Sequence, residues 1–229
     1  HTGMWASKIL FRDSGRIDKA GHLIFPDGQN RGRGTGEADR GQYQSREEAL
    51  FPDGCAACYR RELLDETGGF DEDFFAYADD TDLGWRARWM GWKALYVPEA
   101  VVYHHNSAGL GAYAPFKAFL IERNRIWVAW KNFPFSLLFL GIYFTALRYL
   151  HQGIGALTRR GASGRFSRAY SPLLLALIVG KAYLGALKGL PGVLKKRSAI
   201  QKRRKVSSRD IFKLLKKYGI KAREIAYLE

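Results

Sequence analysis

The sequence predicts an α/β domain followed by an α-helical C-terminal region, on three observations. Short β-branched and apolar runs fill the first sixty residues, a helically spaced stretch follows near residue 80, and two long apolar segments occupy the last hundred. At 229 residues and 47% hydrophobic, the chain can bury one sizeable core, or a core plus an accessory segment, which argues against a wholly disordered protein. The net charge of +15 is unevenly spread, with 18 Lys/Arg against 19 Asp/Glu in residues 1–150 and 19 against 3 in residues 151–229. The front is therefore a near-neutral globular domain, and the back is a cationic region suited to an anionic partner.

Taken in order, MWASKILF (4–11) and RIDKAGHLIF (16–25), separated by the turn-rich RDSG, read as a hairpin or two neighbouring strands. Residues 27–49, rich in glycine and charge and without period, read as a loop of more than twenty residues. A strand resumes at ALFPDGCAACYRR, bent at Pro52 and Gly54. Cys55 and Cys58 form a single CxxC with no second pair, so they read as small apolar residues of a buried strand rather than a zinc site. RELLDET is a short helix stopped by Gly68 and Gly69. In DDTDLGWRARWMGW (79–92), Leu83, Ala87 and Met90 share one helical side and Trp85, Trp89 and Trp92 another.

That helix begins with Asp79, Asp80 and Asp82, which complement the macrodipole and cap free N–H groups. The preceding Phe70, Phe74, Phe75 and Tyr77 would set the same carboxylates against an apolar wall, where pKa values are tuned for a general base or a cation ligand. Trp85, Trp89 and Trp92 suit the core.

The run from Arg60 and Arg61 through GGFDE (68–72), Phe74, Phe75, Asp79, Asp80, Asp82, Leu83, Arg86, Gly91, Pro98, Ala100 and His104 resembles the C-terminal half of the catalytic domain of glycosyltransferase family 2, in its bacterial rhamnosyltransferase-like branch. ERNRIW (122–127) resembles the family's Arg-Asn-Arg helix, and the resemblance covers about residues 3–132. It implies a partial GT-A-like sandwich that binds a nucleotide-diphosphate sugar donor through a divalent cation, Mn²⁺ or Mg²⁺. It implies inverting transfer to a hydroxyl of a glycan or lipid-linked acceptor in cell-surface polysaccharide synthesis, with Asp80 as general base. Asp79 stands where the family has Glu. Asp82, Arg86, Trp85, Trp89, Arg123 and Arg125 become substrate-side residues, Trp85, Trp89 and Trp92 as part of a sugar-stacking wall beside their core reading, and His104 a residue near the cation or diphosphate. The family's base-binding strand and cation-gripping Asp-x-Asp precede the region equivalent to GMWASKILF. The chain is accordingly expected to be a fragment lacking the donor half, weakly active or inactive alone, with an apolar sheet edge left uncovered.

Residues 1–132 are thus expected to form the acceptor-side part of the domain, 133–194 an apolar helical region, and 195–229 a basic tail ending in an amphipathic helix. Arg148, Lys181 and Lys188 interrupt the apolar segments, so both read as helices lying in a membrane interface or packed on the domain. The run KKRSAIQKRRK (195–205), with seven cations in eleven residues, suits an anionic membrane surface. The expected location is cytoplasmic, peripheral at the inner face of the cell membrane. A non-catalytic module gripping membrane or nucleic acid through the basic region is the alternative. No aromatic residue lies in 195–209, which argues against nucleic acid.

Overall fold

The computed structural model describes residues 1–105, 111 and 114–227. The first strand, β1 (Thr2–Phe11), is the axis of a mixed five-stranded sheet. On one side it runs parallel to β7 (Lys93–His104), and on the other it meets β2 (Ile17–Lys19) and β6 (Ala57–Tyr59), both antiparallel. The expected hairpin is present, with Gly15 at φ 65° closing the turn after Phe11. β3 (His22–Ile24) and β4 (Asn30–Gly32) form a separate two-stranded ribbon, and β5 (Glu47–Ala49) pairs with β7. Residues 27–49, expected to be one loop, therefore contain two strands. Arg33 fixes the remainder by donating to Ala20 O and Glu47 and lying over the Tyr43 ring. Cys55 and Cys58 correct a second expectation, because both are exposed free thiols.

α1 (Arg61–Thr67) ends on Gly68 at φ 83° and leads into a 3-10 turn at Glu72–Phe74. α2 (Asp79–Trp89) follows and is buried on all sides, from Asp80 to Trp89. The two sides separated by periodicity therefore both face protein. Trp85 meets Phe51 and Phe133 edge-on, and Trp89 donates its indole N–H to Asn132 O at 2.7 Å. A Cβ on Gly84 would come within 2.5 Å of the Phe51 ring, so only glycine allows this approach.

A helix buried all round must also bury its charges, which requires partners. Asp82, wholly buried, accepts from Arg86 Nε (2.8 Å), Lys131 Nζ (2.8 Å) and Asn132 Nδ2 (2.9 Å). Lys131 and Asn132 end α3 (Pro115–Asn132), so this cluster fastens α3 to α2.

The helical region comprises α4 (Phe135–Thr158), α5 (Gly161–Ala169), α6 (Pro172–Arg203), α7 (Ser208–Lys217) and α8 (Ala222–Tyr227). α6 packs along α3 and runs unbroken across residues 194 and 195, where the basic segment begins. That segment is docked on the chain itself. Lys196 binds Asp71 and Asp73 (2.6 Å each), Arg197 donates to Trp130 O and Phe133 O, and Arg203 and Lys205 hold Glu66. A second buried network joins α3, α4 and the β3–β4 turn, with Arg148 on Asp27 (2.6 Å) and Glu122 (2.9 Å), and Arg125 on the same two carboxylates. Among the described residues, α6 is the one helix long and apolar enough to cross a membrane, and 17% of its apolar window is buried. Leu173, Leu177, Leu184 and Leu187 on α6, and Phe139, Ile142 and Tyr143 on α4, are exposed.

Two expectations follow. Asp82→Ala leaves Lys131 and Arg86 buried with one fewer counter-charge and is expected to cost about 3–5 kcal/mol, read as a lower urea midpoint. Burial pushes the Glu122 carboxyl up, but Arg148 and Arg125 outweigh it and hold Glu122 at about 2 against an ordinary 4.5. Its stabilisation is therefore present above pH 4.5 and lost as the pH falls toward 2, and Glu122→Gln is expected to remove that part of the acid dependence of the unfolding free energy.

Candidate active site

The site begins with strain. Phe75, Tyr77 and Ala78, none of them glycine, adopt left-handed backbone (φ 65°, 66° and 62°), at roughly 1–2 kcal/mol each. Asn124 on α3 offsets this cost, its amide N–H₂ donating to Phe74 O (3.0 Å), Ala76 O (2.8 Å) and Tyr77 O (2.7 Å). Arg123 adds bonds to Asp73 O and Phe74 O and lies 4.3 Å from the Trp127 ring centroid. The clamped loop delivers Asp79 and Asp80 to the start of α2.

There Asp80 Oδ2 accepts from Gly54 N–H at 2.9 Å, and Oδ1 accepts from Thr81 N–H at 2.6 Å and Thr81 Oγ at 3.1 Å. The Gly54 bond requires a close approach, because a Cβ on Gly54 would stand 3.3 Å from the Asp80 Cβ. His22 and Asp53 complete a cluster with Asp80 in which one ligand atom from each lies within 4.8 Å of the others. His22 Nε2 is 3.1 Å from Asp53 Oδ2 and 4.0 Å from Asp80 Oδ2, while its buried Nδ1 has no partner among the described residues. One imidazole nitrogen and two carboxylates form a donor set that fits Mn²⁺, and also Mg²⁺ with waters completing the shell.

Charge is passed along from this cluster. Lys19 Nζ is 2.7 Å from Asp53 and 3.9 Å from Asp18, and Asp18 Oδ2 is 2.7 Å from His104 Nδ1. Burial pushes Asp53 up, but the His22 hydrogen bond and the Lys19 ammonium hold it well below the carboxylate range. Asp79 moves the other way, raised by its burial and by the neighbouring Asp80 charge. Burial and then the Asp80, Asp53 and Asp79 charges raise the Tyr59 phenol, whose hydroxyl has no partner among the described residues.

Of the residues singled out in the sequence, Asp79 and Asp80 stand together here, and His104 stands at the far end of the Asp18–Lys19–Asp53 chain. The others are elsewhere. Trp85 and Trp89 are 0% exposed in the core and present no face to a sugar, and Asp82 and Arg86 are paired beneath them. Arg125 belongs to the Glu122–Asp27 network, and Arg123 grips the strained loop. Sequence reasoning missed His22, Asp53 and Asn124. Asp53 carried a signal in its Asp-Gly step before a strand, whereas His22 meets Asp80 only through tertiary folding.

A mixed sheet with a buried helix delivering paired acids, followed by a helical region, defines an α/β GT-A-like domain with a C-terminal helical extension. Residues 34–128 match the family model described as "Glycosyltransferase like family 2". Two curated relatives, both named N-acetylglucosaminyl-diphospho-decaprenol L-rhamnosyltransferase, come from Mycobacterium tuberculosis strains CDC 1551/Oshkosh and ATCC 25618/H37Rv. Each is 43% identical over 58 residues, which are 25% of this chain and 19% of the relative's length. No solved structure gives a significant match. The chain spans about a fifth of the length of the curated relatives it matches, and its residues 34–128 are similar to glycosyltransferase family 2.

The Asp79 shift has a testable sign. A carboxyl whose pKa is raised on folding costs stability once ionised, and the cost vanishes as the pH falls through its folded value to the ordinary 3.8. Asp79→Asn is expected to raise the melting temperature at pH 7, with the gain shrinking to nothing below pH 4 in a melting series across pH.

Proposed function

We propose that this chain is the acceptor-side part of an inverting glycosyltransferase that moves a sugar from a nucleotide-diphosphate donor to a hydroxyl of a glycan or lipid-linked acceptor in cell-surface polysaccharide synthesis. The observation that carries this reading is the Asp80 carboxylate, fixed at the start of a buried helix beside His22 and Asp53. In the reaction, the acceptor oxygen attacks the anomeric carbon while its proton passes to an Asp80 oxygen. The bond from that carbon to the diphosphate breaks, its electron pair leaving on the phosphate oxygen. The N–H groups of Gly54 and Thr81 aim the base.

A divalent cation, Mn²⁺ or Mg²⁺, would be held by His22 and Asp53 beside the base Asp80 and would neutralise the leaving diphosphate. Lys19 places a further positive charge beside that group, and His104, its ring fixed by Asp18, serves the diphosphate side. Arg123 acts here through the loop that carries the two aspartates. The exposed apolar faces of α4 and α6 support a position against the inner face of the cell membrane, where a lipid-linked acceptor would be met. A non-catalytic binding module that grips an anionic partner through 195–205 is disfavoured, because Lys196, Arg197, Arg203 and Lys205 are engaged within the chain.

The test is nucleotide diphosphate release from a panel of nucleotide sugars with Mn²⁺ or Mg²⁺, by the gene's full-length product. Asp80→Asn is expected to lower turnover by about 10²–10⁴-fold, and His22→Ala to raise the Mn²⁺ concentration giving half-maximal rate by about tenfold or more. Turnover indifferent to Asp80 would sink the assignment.

A further inference from the structure

A pocket of about 660 Å³ opens where α4 ends, beside the start of α5 and α8, within the roughly 300–1,000 Å³ typical of ligand sites. Arg159, Arg160, Arg168 and Arg223 line it, and no carboxylate does. Arg168 donates to Arg159 O at 2.9 Å, while the guanidinium groups of Arg159, Arg160 and Arg223 have no partner among the described residues. Glu224, next to Arg223, is turned to the start of its own helix, where it accepts from Lys221 N–H at 2.8 Å. These cations differ from those of 195–205, four of which are engaged within the chain.

The walls of the pocket are fixed by backbone. Tyr227 Oη donates to His151 O at 3.0 Å, and Arg160 N–H donates to Gly155 O at 2.9 Å. A Cβ on Gly161 would run into Ala226 O, so α5 starts in direct contact with α8. Arg159 ends α4 in left-handed backbone, φ 57°, where glycine is the ordinary residue. The chain thus places a guanidinium at the pocket mouth in spite of the conformational cost. On the adjoining helix, Phe139, Tyr143, Leu150, Ile154 and Leu157 recur at helical spacing along one exposed face of α4. Ile154 belongs to the pocket wall, so this apolar stripe runs into the cations.

We propose that the pocket seats the headgroup of an anionic phospholipid, its phosphate among Arg159, Arg160 and Arg223 and its acyl chains along the α4 stripe. The proposal rests on the membrane position given above and names the lipid that such a position would select. A cationic cavity joined end to end with an apolar face complements one amphipathic anion. A free phosphate would leave the stripe uncovered, and a zwitterionic lipid would bring its own cation against the arginines. The apolar faces supply the attachment, and the pocket supplies the choice of headgroup.

The test is flotation of the full chain with vesicles of phosphatidylcholine alone and of phosphatidylcholine and phosphatidylglycerol in equal parts. Tighter binding to the mixed vesicles is expected, by at least about 25-fold. Arg160→Gln is expected to lower that preference about fivefold, and Arg160→Gln with Arg223→Gln about 25-fold, with binding to phosphatidylcholine unchanged and melting curves confirming an intact fold. Lys202→Gln with Lys216→Gln removes the same charge from exposed positions outside the pocket and is expected to change the preference less than about twofold. Inorganic phosphate, added at constant ionic strength, is expected not to displace the chain from the mixed vesicles. An equal loss in the two double variants marks unspecific attraction, displacement by phosphate marks a free-anion site, and either overturns the proposal. Equal binding to the two vesicles overturns it and leaves the membrane position standing, whereas binding to neither removes both. The transferase assignment is read separately, from the dependence of turnover on Asp80.

Discussion

The buried Asp82 carboxylate is the constraint from which the rest of the architecture follows. A carboxylate with no exposure cannot remain ionised without partners, and neutralising Asp82 takes two cations and an amide from two different helices. Once Lys131 and Asn132 are recruited, the end of α3 is fixed against the start of α2. Lys131 also reaches Asp71, Asp71 reaches Lys196, and so α6 is fixed to both. The helical region is thereby fastened to the sheet domain by charge as well as by packing, and α3 stands where Asn124 can work.

That placement makes the strained loop tenable. Three left-handed non-glycine residues would ordinarily relax, but each alternative sacrifices bonds to Asn124 and Arg123. The strain has a geometric product, since reversing the chain between Phe74 and Asp79 turns the Asp80 carboxylate toward Gly54 and His22. Asp80 then becomes a multiply bonded, fixed acceptor, while Asp79, beside it, retains its proton more readily than an ordinary carboxylate. Two neighbours in sequence thus acquire different roles from their surroundings alone.

Local chemistry was legible in the sequence wherever it was decided locally. The β1–β2 hairpin, the short α1 stopped by Gly68, and α2 with its acidic start could all be read from turn residues and spacing. What escaped was decided by tertiary contact. The loop at 27–49 hides β4 and β5 because three-residue strands leave no periodicity to detect. Trp85 and Trp89 resembled a stacking wall because aromatic residues carry the same signature in a core as at a sugar site. His22 lies 58 positions before Asp80, and no spacing rule connects them.

The cationic run at 195–205 shows why a charge tally does not identify a partner. Seven cations in eleven residues suggested a surface held toward anionic lipid, and four of those side chains instead meet carboxylates or carbonyls of the same chain. An acidic loop at Asp71 and Asp73 followed by a basic helix is a self-complementary pair, and closure within one chain pays far less association entropy than binding a separate surface. Among the described residues the apolar faces of α4 and α6 have no such internal complement, as the exposure of Phe139, Ile142, Leu173 and Leu187 shows. The membrane attachment proposed for this chain would therefore depend on those faces more than on net charge. It should respond weakly to ionic strength, because the burial of apolar surface, unlike headgroup attraction, is not screened by salt.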